Sequence, residues 1–298
     1  MRSVLIQLIL IVAPVEVANA EQARGPTLQL EQADSEPSHS NYRSVRRTRG
    51  RLYGLLPLLS AAEGSNLYLT FDVMREVRRH KGSDGNSVTN DLVASEGLLY
   101  TFKDLPESLV PLLWLTTYQA PGLKSSNNRM DQFMFGFMSR HKLPLLSQYR
   151  ARTTIAYRLR WYPSHKNYLL YVSEEIFSDT FWQLLISTAG GRLDFFTPDQ
   201  DLWAYLGYEG EARDYFGRWY GDEVWKIGSA ITGYIGFRKR IAGILYGAFD
   251  VGLQSEKLRH NTPENHLRLS YQTHYTPWVR AAVETWVDVK VPKPLTNN

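Results

Sequence analysis

From about Leu67 to the end of the chain, hydrophobic and polar positions alternate with a period of two, which predicts β-strands rather than helices. The pattern is sharpest in residues 266–275, where Leu267, Leu269, Tyr271 and Tyr275 share one face and His266, Arg268, Ser270, Gln272 and His274 the other. It recurs in 279–289, where Val279, Ala281, Val283, Val287 and Val289 stand opposite Arg280, Glu284 and Asp288. Thr276-Pro277-Trp278 between them reads as a tight turn, so the two segments are expected to pair as an antiparallel hairpin. That register would set His274 beside Arg280, Ser270 beside Glu284 and His266 beside Asp288.

Upstream, Trp225, Ile227, Ile231, Ile235 and Phe237 alternate with Lys226, Gly228, Thr232 and Tyr234. Ile241, Leu245, Phe249, Val251 and Leu253 then face away from Tyr246, Asp250 and Gln254. Further strands are expected at 67–77, 95–102, 113–119, 131–139, 152–161, 168–176, 181–187 and 202–213. The runs 225–237 and 241–253 both exceed the ~9–11 residues that a tilted strand needs to cross a bilayer. Aromatic residues stand near the expected strand ends, at Trp161, Tyr168, Trp203, Trp219, Trp225, Tyr275 and Trp278, where a barrel carries its interfacial girdles. The fold class is therefore all-β, an antiparallel outer-membrane β-barrel of about 12 strands over residues 52–291. A soluble secreted β-sandwich is the alternative.

The chain's start sharpens this picture. Arg2, the apolar stretch from Val4 to Ala13 and the small-residue site Ala18-Asn19-Ala20 form the three parts of a secretory signal over residues 1–20, with cleavage expected after Ala20. Residues 21–51 carry Gly25, Pro26 and Pro37 and end in Arg43, Arg46, Arg47, Arg49 and Arg51, which reads as a flexible basic extension. Residues 292–298 read as a tail, departing from the terminal aromatic residue on which bacterial barrels usually finish. The absence of cysteine excludes a disulfide scaffold, thiolate metal sites and cysteine nucleophiles. The 34 Lys+Arg against 30 Asp+Glu are spread along the chain without a nucleic-acid motif, so a nucleic-acid partner is not expected.

With the strands placed, residues 130–255 resemble the C-terminal region of a family of outer-membrane proteins that includes the phage-adsorption protein A type. Tyr157-Arg158-Leu159-Arg160-Trp161-Tyr162-Pro163, Lys166 to Val172, Leu202 to Gly210 and Arg218-Trp219-Tyr220-Gly221 carry the resemblance. It implies a barrel in outer-membrane lipid that assists export or surface handling of an anionic polysaccharide, with envelope secretion components as partners. Arg158, Arg160, Arg268, Arg280 and Lys290 are the candidate contacts for such a ligand. The helical-repeat portion that precedes the barrel in many relatives has no counterpart here, so its scaffolding role is not carried over.

An envelope hydrolase acting on lipid or glycan is the alternative function. His266, Ser270 and Glu284 supply the residue types of a Ser-His-acid site, although positions four apart on a strand lie about 13 Å apart, too far for direct proton transfer. No histidine pair has a chelating spacing, and no cofactor is expected. Asp194, Asp199 and Asp201 lack a calcium-loop pattern and read as an exposed loop that follows a turn at Gly190-Gly191. A water-filled lumen would make Glu284→Gln cheap, about 0–1 kcal/mol.

Overall fold

The computed structural model describes residues 22–36, 42–60, 66–82, 85–101, 109–119, 129–143, 146–161, 166–177, 181–219, 222–261 and 267–288. They form 14 strands: β1 (Gln22–Ser35), β2 (Tyr42–Ser60), β3 (Asn66–Gly82), β4 (Gly85–Thr101), β5 (Leu109–Gln119), β6 (Arg129–Leu143), β7 (Leu146–Trp161), β8 (Lys166–Phe177), β9 (Trp182–Ser187), β10 (Gly190–Phe196), β11 (Leu202–Trp219), β12 (Asp222–Ala242), β13 (Leu245–Asn261) and β14 (Leu267–Asp288). Each strand pairs antiparallel with its chain neighbours, and β1 closes the ring against β14. Leu28 on β1, for example, lies between Leu52 of β2 and Val283 of β14. Because the strand number is even, residues 22 and 288 emerge at the same end of the barrel.

The side chains are distributed inside-out relative to a soluble protein. Large apolar residues stand exposed on the outer face, and Leu206, Ile235, Val251 and Val279 form one registered outer row across β11 to β14. On β12 the outward positions include Ile231, Ile235, Phe237 and Ile241. Ten residues of strand tilted by ~40° rise about 25 Å, the height of the apolar band of a membrane barrel. Buried positions instead carry Arg47, Arg49, Glu76, Arg78, Arg158, Arg238, Asp250 and Glu284. In water the outer face would forfeit about 1.5–3 kcal/mol for each large apolar side chain, and lipid removes that penalty.

The structure corrects four expectations. First, the segment read as a flexible basic extension forms β1 and the start of β2. Its arginine run divides by face, since Arg47 and Arg49 point inward to carboxylates while Arg46 points outward. Second, the glycines at 190–191 begin β10 instead of making a turn; the chain reverses at Thr188-Ala189. Third, the terminal hairpin is one strand, β14, because β13 offers it a partner along its whole length, from Leu245 opposite Thr285 to Asn261 opposite Leu267. Thr276-Pro277 lies beside a bulge, where Tyr275 takes the left-handed φ of 49° and the pairing register slips. Two unread strands at the front, β10 and this merger bring the expected 12 strands to 14. Fourth, Trp203 and Trp278 are buried inside the barrel rather than standing in an outer girdle. Residues 1–20 and 292–298 lie outside the described residues.

Candidate functional site

Inward positions recur every second residue, so Gln29, Glu31 and Ala33 of β1, Arg47 and Arg49 of β2, and Glu76, Arg78 and His80 of β3 line one wall. Cross-strand pairing then builds a row of alternating charge, in which Asp250, Arg280, Glu31, Arg49 and Glu76 are each the direct partner of the next across β13, β14, β1, β2 and β3. Arg280 Nε donates to Asp250 Oδ2 at 2.5 Å, and Arg49 Nη2 donates to Glu76 Oε2 at 2.8 Å. Glu31 sits 3.5 Å from both Arg47 and Arg49 and accepts a hydrogen bond from the Gln29 amide.

One level further from the chain ends, Arg47 and Arg78 are themselves direct cross-strand partners, a like-charge pair. Glu256 of β13 resolves it from across the lumen: it accepts from Arg78 Nη2 at 2.9 Å and lies 3.8 Å from Arg47 Nη1. Arg78 also donates to Glu76 at 2.6 Å, and both of these side chains are 0% exposed. Three carboxylates (Glu31, Glu76, Glu256) and three guanidinium groups (Arg47, Arg49, Arg78) are thus ion-paired in one buried cluster, and the buried Asp91 lies directly across from Glu76.

Around these rows, arginines stack on aromatic rings. The Arg280 guanidinium lies 5.1 Å from the Tyr234 ring centroid and 4.9 Å from that of Trp278, and its Nη1 also donates to Glu209 at 3.2 Å. Arg238 lies over Trp203 and Tyr205 and pairs with Glu284 at 2.8 Å, while Arg192 lies over Tyr205 and pairs with Asp194 at 2.8 Å. The buried indole Nε1 of Trp278 has no hydrogen-bond partner. Gly236 makes the room for this packing: a Cβ there would lie 2.6 Å from the Tyr205 ring and would collide with the Asp250 carboxylate.

Two opposite walls of the barrel also approach each other. β4 and β11 stand seven places apart in the ring of 14, on opposite walls, yet Cα atoms of the two come within 8 Å. A circular barrel of this size would separate them by roughly 25–30 Å, from strands ~4.8 Å apart tilted by ~40°. The section is therefore flattened where these two strands approach.

Of the residues proposed from sequence, Arg158 and Arg280 face this interior. Arg160 lies on β7 opposite Gln132 and Asn167, and Arg268 lies within β14. His266 and Lys290 fall outside the described residues. The hydrolase arrangement does not assemble: Ser270 pairs with Arg259 and Glu284 with Tyr246, on a single strand, where 14 residues span about 46 Å. Asp194 is buried against Arg192 instead of lining an exposed loop. At the β10–β11 turn, the Thr197 hydroxyl and the Asp201 N–H hold the Asp199 carboxyl below its ordinary pKa. Among the described residues no three His, Asp or Glu side chains gather as a metal site. Sequence reading missed Glu31, Glu76, Asp250 and Glu256. The i, i+2 repeats of charge at 47/49 and 76/78 were the available signal.

No protein-family model matches the chain, and no curated protein matches it. Among solved structures, it is similar to an outer membrane channel from Pseudomonas putida F1, at a TM-score of 0.40 and 10% identity over 93% of this chain and 100% of that one. It is also similar to the beta domain of the Bordetella autotransporter BrkA, at a TM-score of 0.35 and 12% identity over 88% of this chain and 98% of that one. The likeness is one of barrel architecture, and the reading below rests on this chain's own side chains.

Proposed function

We propose that this chain is a non-enzymatic outer-membrane β-barrel whose lumen is held shut by ion pairs and admits polar solutes when those pairs part. The observation that carries it is the inside-out wall, apolar on the outside and densely ion-paired on the inside. An apolar outer face is costly in water and suited to lipid, and a polar inner face is the interior that a membrane barrel carries. The protein should resist carbonate extraction and migrate heat-modifiably in detergent gels. In planar bilayers it should conduct little until the lumenal pairs are broken. Full release into the soluble fraction would sink the membrane half of the proposal, and a large constitutive conductance would sink the closed lumen.

A finer reading, that the solute is an anionic polysaccharide, is supported by one feature. Arg280 lies against two aromatic rings, and Arg238 over two others, which pairs flat surfaces for sugar rings with charge-assisted donors for carboxylates. Each arginine is already matched by a wall carboxylate, so an acidic glycan would enter by exchanging places with Asp250, Glu209 or Glu284. An acidic oligosaccharide should block current through an opened channel and its neutral counterpart should not. Equal block by both would remove the charge from the reading.

A further inference from the structure

We infer that the outer face of β2 and β3 is a binding surface for the phosphate groups of an outer-leaflet glycolipid. This rests on the outer-membrane reading above. On β3 the buried residues are Tyr68, Thr70, Glu76, Arg78 and His80, so the odd-numbered side chains point outward. Read along the strand, they are Leu67, Leu69, Phe71 and Val73, followed by Arg75, Val77, Arg79 and Lys81. The change from apolar to charged runs level across three strands, with cations on two of them. Leu28, Leu52 and Val73 form one registered outer row, and six residues further along each strand Asp34, Arg46 and Arg79 form another. That step is about 20 Å of strand and rises roughly 15 Å at a tilt of ~40°.

Arg75, Arg79, Lys81 and Arg46 are all exposed, and Arg46 and Arg79 are direct cross-strand partners. Two guanidinium groups so placed repel unless an anion lies between or beside them. Asp34 supplies a single carboxylate, and it is bound bidentately by Arg46, at 2.7 and 3.0 Å. Among the described residues, Arg75 donates to the neutral Asn90 amide oxygen, at 3.1 Å. The surface therefore keeps a surplus of positive charge immediately beyond the apolar band.

Its position selects the occupant. Lys81 lies at the end of the barrel opposite residues 22 and 288. That end is assigned to the outer leaflet, with residues 22 and 288 toward the periplasm from which the chain inserts, so the cationic rows meet the outer leaflet. Arginine forks match phosphate oxygens, and the low dielectric beside the hydrocarbon strengthens such contacts relative to water. Phosphorylated sugar headgroups at the top of the acyl region fit that height and that charge.

The test uses the full chain purified in non-ionic detergent, incubated with diphosphorylated lipid A and examined by native mass spectrometry. The wild type should retain the lipid, and the triple variant Arg75→Gln, Arg79→Gln, Lys81→Gln should retain at least tenfold less while keeping heat-modifiable migration. Equal retention by the variant, or equal binding of dephosphorylated lipid A, would overturn the inference. Displacement of the lipid by millimolar inorganic phosphate would reassign the surface to free anions and overturn the lipid assignment. Failure of the membrane reading itself would appear separately, as wild-type protein that is extracted by carbonate.

Discussion

Glu256 is the residue on which the closed lumen depends most, and Glu256→Gln should be strongly destabilising. Without its charge, Arg47 and Arg78 face each other across neighbouring strands and lose the one carboxylate shown in contact with both. Two unit charges ~5–6 Å apart repel by about 3 kcal/mol at an effective dielectric of 20. Removing one partner from a buried pair costs about 3–5 kcal/mol in general, so the two routes agree on the size of the effect. Adding Arg47→Gln removes that like-charge pair and should return at least ~2 kcal/mol, a non-additivity that only coupled sites show. Urea unfolding in phospholipid vesicles, followed by the heat-modifiable gel shift, measures both variants. Planar-bilayer recording should show higher conductance for Glu256→Gln, since Glu256 joins β13 to β3 across the lumen. A single variant within ~0.5 kcal/mol of wild type, or a double variant equal to the sum of the singles, would refute the reasoning.

Val283 is 43% exposed on the lipid face and Glu284 is 4% exposed beside Arg238, so Val283→Arg should cost about 2–4 kcal/mol near the midplane and Glu284→Gln about 3–5 kcal/mol. Arg238→Gln should rescue the second in barrel yield and leave the first unchanged, which separates the two faces of one strand. Gly236→Ala should cost about 1–3 kcal/mol by overpacking against Tyr205, read as a lowered urea midpoint at unchanged slope. Mass spectrometry of the envelope fraction should find the chain beginning at Glu21; a chain retaining residues 1–20 would remove the signal-peptide reading.

Strands β11 to β13 were legible because their outer faces are largely apolar, as at Leu202, Leu206, Ile231, Ile235, Phe249 and Val251, and period-two alternation needs no knowledge of partners. The first two strands were not, since a lumenal face made of arginine looks like a solvated tail until Glu31, Glu76 and Glu256 are brought to it from elsewhere in the chain. Arg78 and Glu256 stand 178 residues apart, a separation no local pattern reports. β10 was hidden by Gly190-Gly191 and by its short length, and the continuity of β14 by Thr276-Pro277, which carries turn chemistry in a place where β13 imposes an extended backbone. Alternation likewise shows that charges share a face but cannot show that β4 approaches β11 from the opposite wall, a contact set by long-range topology.

A buried ion-pair lumen is not the most stable interior available, since well-packed apolar residues in place of such pairs are often neutral or favourable. Its advantage is in choosing the register. In a barrel of alternating faces, a one-residue slip exchanges inside for outside along the whole strand. For β2 the slip would turn Arg47 and Arg49 into lipid, at about 2–4 kcal/mol each near the midplane, and would strand Glu31 and Glu76 without partners. With an apolar lumen the same slip would cost almost nothing. The bulge at Tyr275 fits this logic, because the register of β14 slips where the buried residues on either side are the uncharged Thr273 and Thr276, whose hydroxyls still bond to the β13 backbone. Replacing Thr273 or Thr276 with arginine should therefore be far less tolerated than exchanging either for serine, and equal barrel yields from the two kinds of substitution would separate the charged lumen from the control of register.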